Sequence, residues 1–142
     1  IRTLSRPAIY SSSSLRKAFD GAIKQHRPEV DKLFKQLKQH EITQVLEKRF
    51  GIGWGNRLER QARQFIPVVM AAGGSSSQAL DHLLSVRLFR DGKVTGRYDT
   101  KQEHLSKLQS CLNSVWENIS NDEMAYHCDD RLTQEIERKE TA

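Results

Sequence analysis

The chain contains no apolar run long enough to cross a bilayer. Its longest, Phe65 to Ala72, is broken by Pro67 and falls far short of the roughly 18 residues that a spanning helix needs. Cysteine is scarce: Cys111 and Cys128 have no CxxC or paired-histidine spacing around them, which argues against a disulfide framework and a zinc module. Both are expected to be small apolar residues on helix faces in a reducing cytoplasm. Aromatic residues make up 7% of the chain and are not interleaved with the basic ones, unlike the stacking surface of a single-strand binder. The phosphate loop is missing too. The only Gly-Lys pair, Gly92-Lys93, is followed by Val94, and no apolar run ends in an Asp-Glu pair that could hold magnesium. GxSxG, HExxH and Cys-His catalytic patterns are also lacking. An independent enzyme is therefore not expected, and no catalytic or metal residue is assigned.

What the chain does have is charge and helical periodicity. Residues 1 to 50 carry 11 basic and 5 acidic side chains, residues 51 to 119 carry 9 and 6, and residues 120 to 142 carry 3 and 7. The basic excess could meet phosphate, or it could be a solvated helix surface followed by an acidic tail. The chain opens Ile1-Arg2-Thr3 with no Met and no signal pattern, and ends Glu140-Thr141-Ala142 without a packing cue. It is expected to be a segment of a longer, cytoplasmic protein.

Leu15, Ala18, Phe19, Ala22 and Ile23 recur at helical steps after the serines 11 to 14, which supply an N-cap. Pro28 suits the first turn of a second helix bearing Val30, Leu33, Phe34 and Leu37, so a helical hairpin is expected. Ile42, Val45 and Leu46 mark a short helix that ends at Gly51-Ile52-Gly53-Trp54-Gly55. Asn56 can then cap a helix with Leu58, Ala62, Phe65, Ile66, Val69 and Met70 inward, bent by Pro67, and Ser75 to Ser77 cap the next, striped by Leu80 and Leu84. The punctuation Asp91-Gly92 and Thr95-Gly96 admits a small hairpin near 91–98. Leu105, Leu108, Cys111, Leu112, Val115, Trp116 and Ile119 form the strongest amphipathic helix. Met124, Cys128, Leu132 and Ile136 follow at steps of four, a seam for a packed or partner-bound helix. The predicted class is all-α, a bundle of six or seven helices. Its expected divisions are a linker over 1–13, a helical domain over 14–119 and an acidic helix or tail over 120–142.

Asp81-His82 and His127-Cys128-Asp129-Asp130 gather acid–base and metal-ligating side chains. Successive residues of a helix point about 100° apart, so neither cluster converges on one site by itself. Both are expected to be surface polar residues.

The segment Gly53-Trp54-Gly55-Asn56-Arg57 through Phe65-Ile66, then Ala79-Leu80-Asp81-His82-Leu83-Leu84 and a connector with Gly96-Arg97, resembles the helical lid of AAA+ ATPases. More narrowly, it resembles the McrB-type restriction NTPases. The resemblance covers roughly residues 12 to 119. It implies a non-catalytic C-terminal lid, with ATP or GTP and magnesium bound by the missing AAA+ core of the parent chain and no cofactor in this segment. It further implies a homo-oligomeric ring in the parent, a DNA or nuclease partner in restriction-type defence, and no membrane. In that family an arginine opening a lid helix senses nucleotide, the sensor-2 role. Arg57 is the candidate here, since Arg57 and Phe65 keep the family's eight-residue step, and Arg60 is the alternative, because Gly55 and Asn56 separate Trp54 from the arginine. A guanidinium fork fits phosphate oxygens and keeps its charge at every physiological pH. Arg87, Arg90, Lys93 and Arg97 could form a second basic interface around the connector. A basic helical nucleic-acid-binding module and a plain protein-interaction domain are the competing readings.

Overall fold

The computed structural model describes residues 12–120 and 123–141. Among these residues the regular elements are all helical: α1 (Ser12–Gln39), α2 (Glu41–Val45) running into a π turn (Leu46–Phe50), α3 (Asn56–Ala71), α4 (Ser76–Arg87), α5 (Gln102–Ile119) and α6 (Tyr126–Thr141). The all-α expectation holds. No helix among the described residues is long and apolar enough to cross a membrane.

The expected hairpin at the N-terminus is instead one helix. α1 continues through Pro28, although an interior proline removes one backbone hydrogen bond and crowds the preceding turn at a cost of about 3 kcal/mol or more. The physical reason is phase. Ala22, Val30, Leu33, Phe34 and Leu37 are all buried, and they lie on one helical stripe only if the helix is not interrupted between them. Arg63 donates to Asp31 at 3.0 Å, and Lys38 pairs with Glu59. These contacts set α1 antiparallel to α3, so the first turns of α1 extend beyond the end of α3, and Leu15 and Phe19 are exposed there. The linker expected over 1–13 lies largely outside the described residues, with residues 12 and 13 already helical.

His40 caps α2: its Nδ1 accepts from the Ile42 N–H at 3.1 Å, and its Nε2 lies 3.2 Å from Ser114 Oγ on α5. Since a backbone N–H only donates, Nδ1 is the unprotonated nitrogen and Nε2–H is the donor to Ser114. The π turn that follows buries Leu46 and Phe50 and ends at Gly51, whose φ of 68° is left-handed. Trp54 folds back across this turn. Its Nε1–H donates to Thr43 Oγ1 at 2.6 Å, and that hydroxyl donates to the Leu37 carbonyl at 2.7 Å.

One core joins every helix. Leu37, Ile66, Leu80, Leu84, Leu105, Leu108, Leu112, Trp116 and Leu132 are among its fully buried side chains, while Phe65 and Val69 pack at its margin. α6 belongs to this core through Cys128 and Leu132 and packs on α4 and α5. Of the segment expected as an acidic helix or tail, α6 is therefore a docked helix of the bundle.

The connector between α4 and α5 forms a turn without strands. Asp91 and Thr95 make an isolated bridge, the Gly92 N–H donates to the Thr95 carbonyl, and Val94 is buried. The small hairpin expected over 91–98 does not form, because Thr95 Oγ1 binds Asp91 at 2.8 Å and the Glu135 carboxylate of α6 takes the Gly96 N–H. Those contacts close the segment on itself and on α6.

Candidate functional site

Three of the other helices begin against a side-chain acceptor, and α3 does not. Ser75 and Gln78 form a reciprocal capping box at α4, and Ser75 and Ser77 both donate to Glu123, at 3.0 and 2.7 Å. His40 serves α2, and Asp81 serves α6 from another helix. The N-cap of α3 is Gly55, extended at φ −76° and ψ 156°, and it offers only its carbonyl, to the Glu59 N–H at 3.2 Å. Asn56, expected as the cap, is instead the first helical residue. The amides of Asn56, Arg57 and Leu58 have no partner among the described residues. Unsatisfied N–H groups at a helix start carry partial positive charge and favour an anion.

Cations surround this start. Arg57 and Arg60 are exposed and make no ion pair among the described residues. Arg63, one turn further, is committed to Asp31, and the first-turn acid Glu59 is buried and paired with Lys38. α3 and α4 pack on each other across a short turn, so the start of α3 shares one end of the bundle with the finish of α4. Arg87 ends α4, and Arg90 and Lys93 follow it. All three are exposed and unpaired among the described residues. The Gly51 to Gly55 stretch leads into this start from the π turn, whose exposed Lys48 and Arg49 lie beside Glu41 and Lys107.

Arg97 has a different role from these neighbours. Its Nη1 donates to the Phe50 carbonyl at 2.6 Å and to the Lys93 carbonyl at 3.0 Å. Its Nε and Nη2 grip Asp99 at 2.8 and 2.6 Å, and its guanidinium carbon lies 5.8 Å from the centre of the Phe50 ring. The hydrogen bonds to Asp99 raise the arginine's pKa, and those from Arg97 hold the Asp99 carboxyl below the usual carboxylate range. Lys139 of α6 adds a bond to the Arg97 carbonyl at 2.8 Å. Arg97 thus ties the connector to the π turn and to α6, and of the four cations expected as a basic interface, Arg87, Arg90 and Lys93 are left free.

The Asp81-His82 and His127-Cys128 clusters, expected as surface polar residues, each bury one member where α4 packs on α6. Asp81, 3% exposed, accepts from the His127 and Cys128 amides at 2.9 and 3.0 Å. Ala125, whose carbonyl takes the Asp129 N–H at 2.8 Å, opens α6 with no polar side chain, so Asp81 supplies the cap from 46 residues away. Cys128 Sγ donates to the Asp81 carbonyl at 3.4 Å. Burial first, and the nearby Asp81 charge second, push this thiol well above its usual range, and burial raises Cys111 as well. Both thiols are free and buried, as expected of small core residues. His82 and His127, the exposed neighbours of this capping pair, face each other with ring centres 6.2 Å apart. Both motifs are visible in the sequence, but nothing in one dimension joins two segments 46 residues apart. No group of three His, Cys, Asp or Glu residues suited to a metal ion occurs among the described residues.

Comparison of the chain with protein-family models, with curated proteins and with solved structures returns no match.

Proposed function

We propose that this bundle is the non-catalytic lid of a larger AAA+ NTPase and that Arg57, with Arg60 as the alternative, reads the terminal phosphate of a nucleotide held by the core of the same parent chain. The observation that carries the reading is the start of α3: three amides without a side-chain acceptor, next to two unpaired guanidinium groups. A γ-phosphate supplies both the charge and the oxygens that such a start lacks, and hydrolysis removes them. The lid then loses a contact and is free to move. In this reading ATP or GTP with magnesium belongs to the parent, which assembles as a ring in the cytoplasm, with DNA or a nuclease as the partner of a restriction-type system. Titration of the parent protein, whose core holds the nucleotide, with ATP and with ADP, followed at the backbone amides of residues 56 to 58, tests it. ATP is expected to bind more tightly and to shift these amides first, with the difference lost in Arg57→Ala. Equal affinity for both nucleotides, or shifts located elsewhere, would count against it.

The free cations Arg87, Arg90 and Lys93 at the same end favour a second reading, contact with the phosphate backbone of nucleic acid. It predicts that the logarithm of duplex affinity falls with the logarithm of salt, by a slope of about 0.9 per phosphate neutralised. Flat salt dependence would remove this reading and leave the first intact.

A further inference from the structure

Asp81-His82 on α4 and His127-Cys128 on α6 meet where the two helices pack, the histidines outward and the other two buried. The fold already uses the carboxylate and the thiol. Asp81 gives both oxygens to the α6 amides, and Cys128 is buried with its Sγ on the Asp81 carbonyl. Two exposed imidazoles remain, with centres 6.2 Å apart and planes at 83°. With bonds of about 2.0–2.1 Å from metal to nitrogen and the depth of each ring added, two imidazoles on one tetrahedral ion have centres about 5 Å apart, so rotation of the two exposed side chains must close this pair by about 1 Å.

We infer that His82 and His127 form a two-imidazole site for a borderline divalent transition-metal ion of the zinc class, independent of any nucleotide reading. Imidazole nitrogen is the ligand type such ions select. The pair is partly preorganised: Asp81 holds the His127 backbone at 2.9 Å, and the His82 ring lies against Phe65 with centres 5.7 Å apart and planes at 32°. The buried Asp81 carboxylate also offsets the positive end of the α6 dipole, which would otherwise repel a cation. Because no third ligand residue joins the pair among the described residues, solvent completes the coordination, and binding is weaker than in a closed four-ligand site.

The test is a zinc titration of the metal-free 142-residue chain, monitored by the imidazole nitrogen resonances. The His82 and His127 signals are expected to move together at the first equivalent, ahead of His26, His40 and His104. His82→Gln and His127→Gln should each weaken binding by about tenfold or more, a loss of about 1.4 kcal/mol or more, whereas His104→Gln should leave it unchanged. Both sites are exposed, so the thermal midpoint of each variant checks that the fold is retained. Wild-type affinity in either folded variant, or zinc acting first on another histidine, would overturn the inference.

Discussion

Replacing Asp81 tests how α6 is attached. In Asp81→Ala the His127 and Cys128 amides, now bonded at 2.9 and 3.0 Å, lose their acceptor at a site where the carboxylate is 3% exposed. A buried amide left without a partner costs about 1–3 kcal/mol, so the pair, with the Cys128 bond buried and the His127 bond part-buried, predicts a loss of up to about 6 kcal/mol and of at least about 2 kcal/mol. That is a large part of the 5–15 kcal/mol that typically holds a domain together. Asp81→Asn keeps one acceptor oxygen and gives up the charge, so it should fall about midway. At about 2–4 °C per kcal/mol for a domain near this size, the alanine variant should unfold at least several degrees lower. The assay is urea unfolding at neutral pH, with hydrogen exchange read residue by residue. Because Asp81 acts on the first turn of α6, the amides of 126 to 132 should gain exchange before those of α1 and α3. A loss below about 0.5 kcal/mol, the range of surface changes without a special role, would refute the capping argument. So would exchange that rises uniformly through the bundle.

Leu112, fully buried in α5, should cost about 2–5 kcal/mol on change to Ala, and a loss near zero in urea unfolding would mean that the helix phase over 105–119 is wrong. Arg97→Lys should remove the fork that joins the Phe50 and Lys93 carbonyls and cost about 1 kcal/mol, with faster exchange confined to the connector; unchanged exchange there would contradict the strap. Asp99 titrates lower when folded than unfolded, so the stability from its pairing is complete above the unfolded carboxyl's pKa and fades as pH falls through the folded value; Asp99→Asn should flatten that part of the acid-unfolding curve. The Cys128 thiol titrates higher when folded, so its contribution is complete below the unfolded thiol's pKa and is lost as pH rises through the folded value. A thiol reagent at neutral pH should label Cys128 and Cys111 only on unfolding, and rapid labelling of the native chain would contradict their burial.

Periodicity made the long amphipathic stretches legible. Leu105 to Trp116 and Leu80 to Leu84 are buried where their spacing puts them, because a one-sided apolar stripe has few ways to leave water. Pro28 was read by its local preference for a helix start, yet the stripe from Ala22 to Leu37 continues in phase and tertiary burial overrides that preference. The cap of α3 moved from Asn56 to Gly55 because a cap is set by backbone angles, which composition does not carry. Arg97 looked like one more cation among Arg87, Arg90 and Lys93; its partners include a carbonyl 47 residues away. Asp81 and His127 each look like solvated polar residues in the sequence, and their joint role exists only once α4 and α6 are packed side by side.

The measurement that bears most directly on the lid reading is nucleoside triphosphate turnover in the parent protein carrying Arg57→Ala, with Arg60→Ala beside it. Both side chains are exposed and unpaired among the described residues, so neither change should disturb the fold. Loss of an arginine contact to transition-state phosphate costs on the order of 10³ in rate in related chemistry, and a fall of that size in one of the two variants is the predicted result. A fall only in Arg60→Ala would assign the phosphate contact to Arg60. Wild-type turnover in both would contradict the claim that this bundle senses nucleotide through the start of α3.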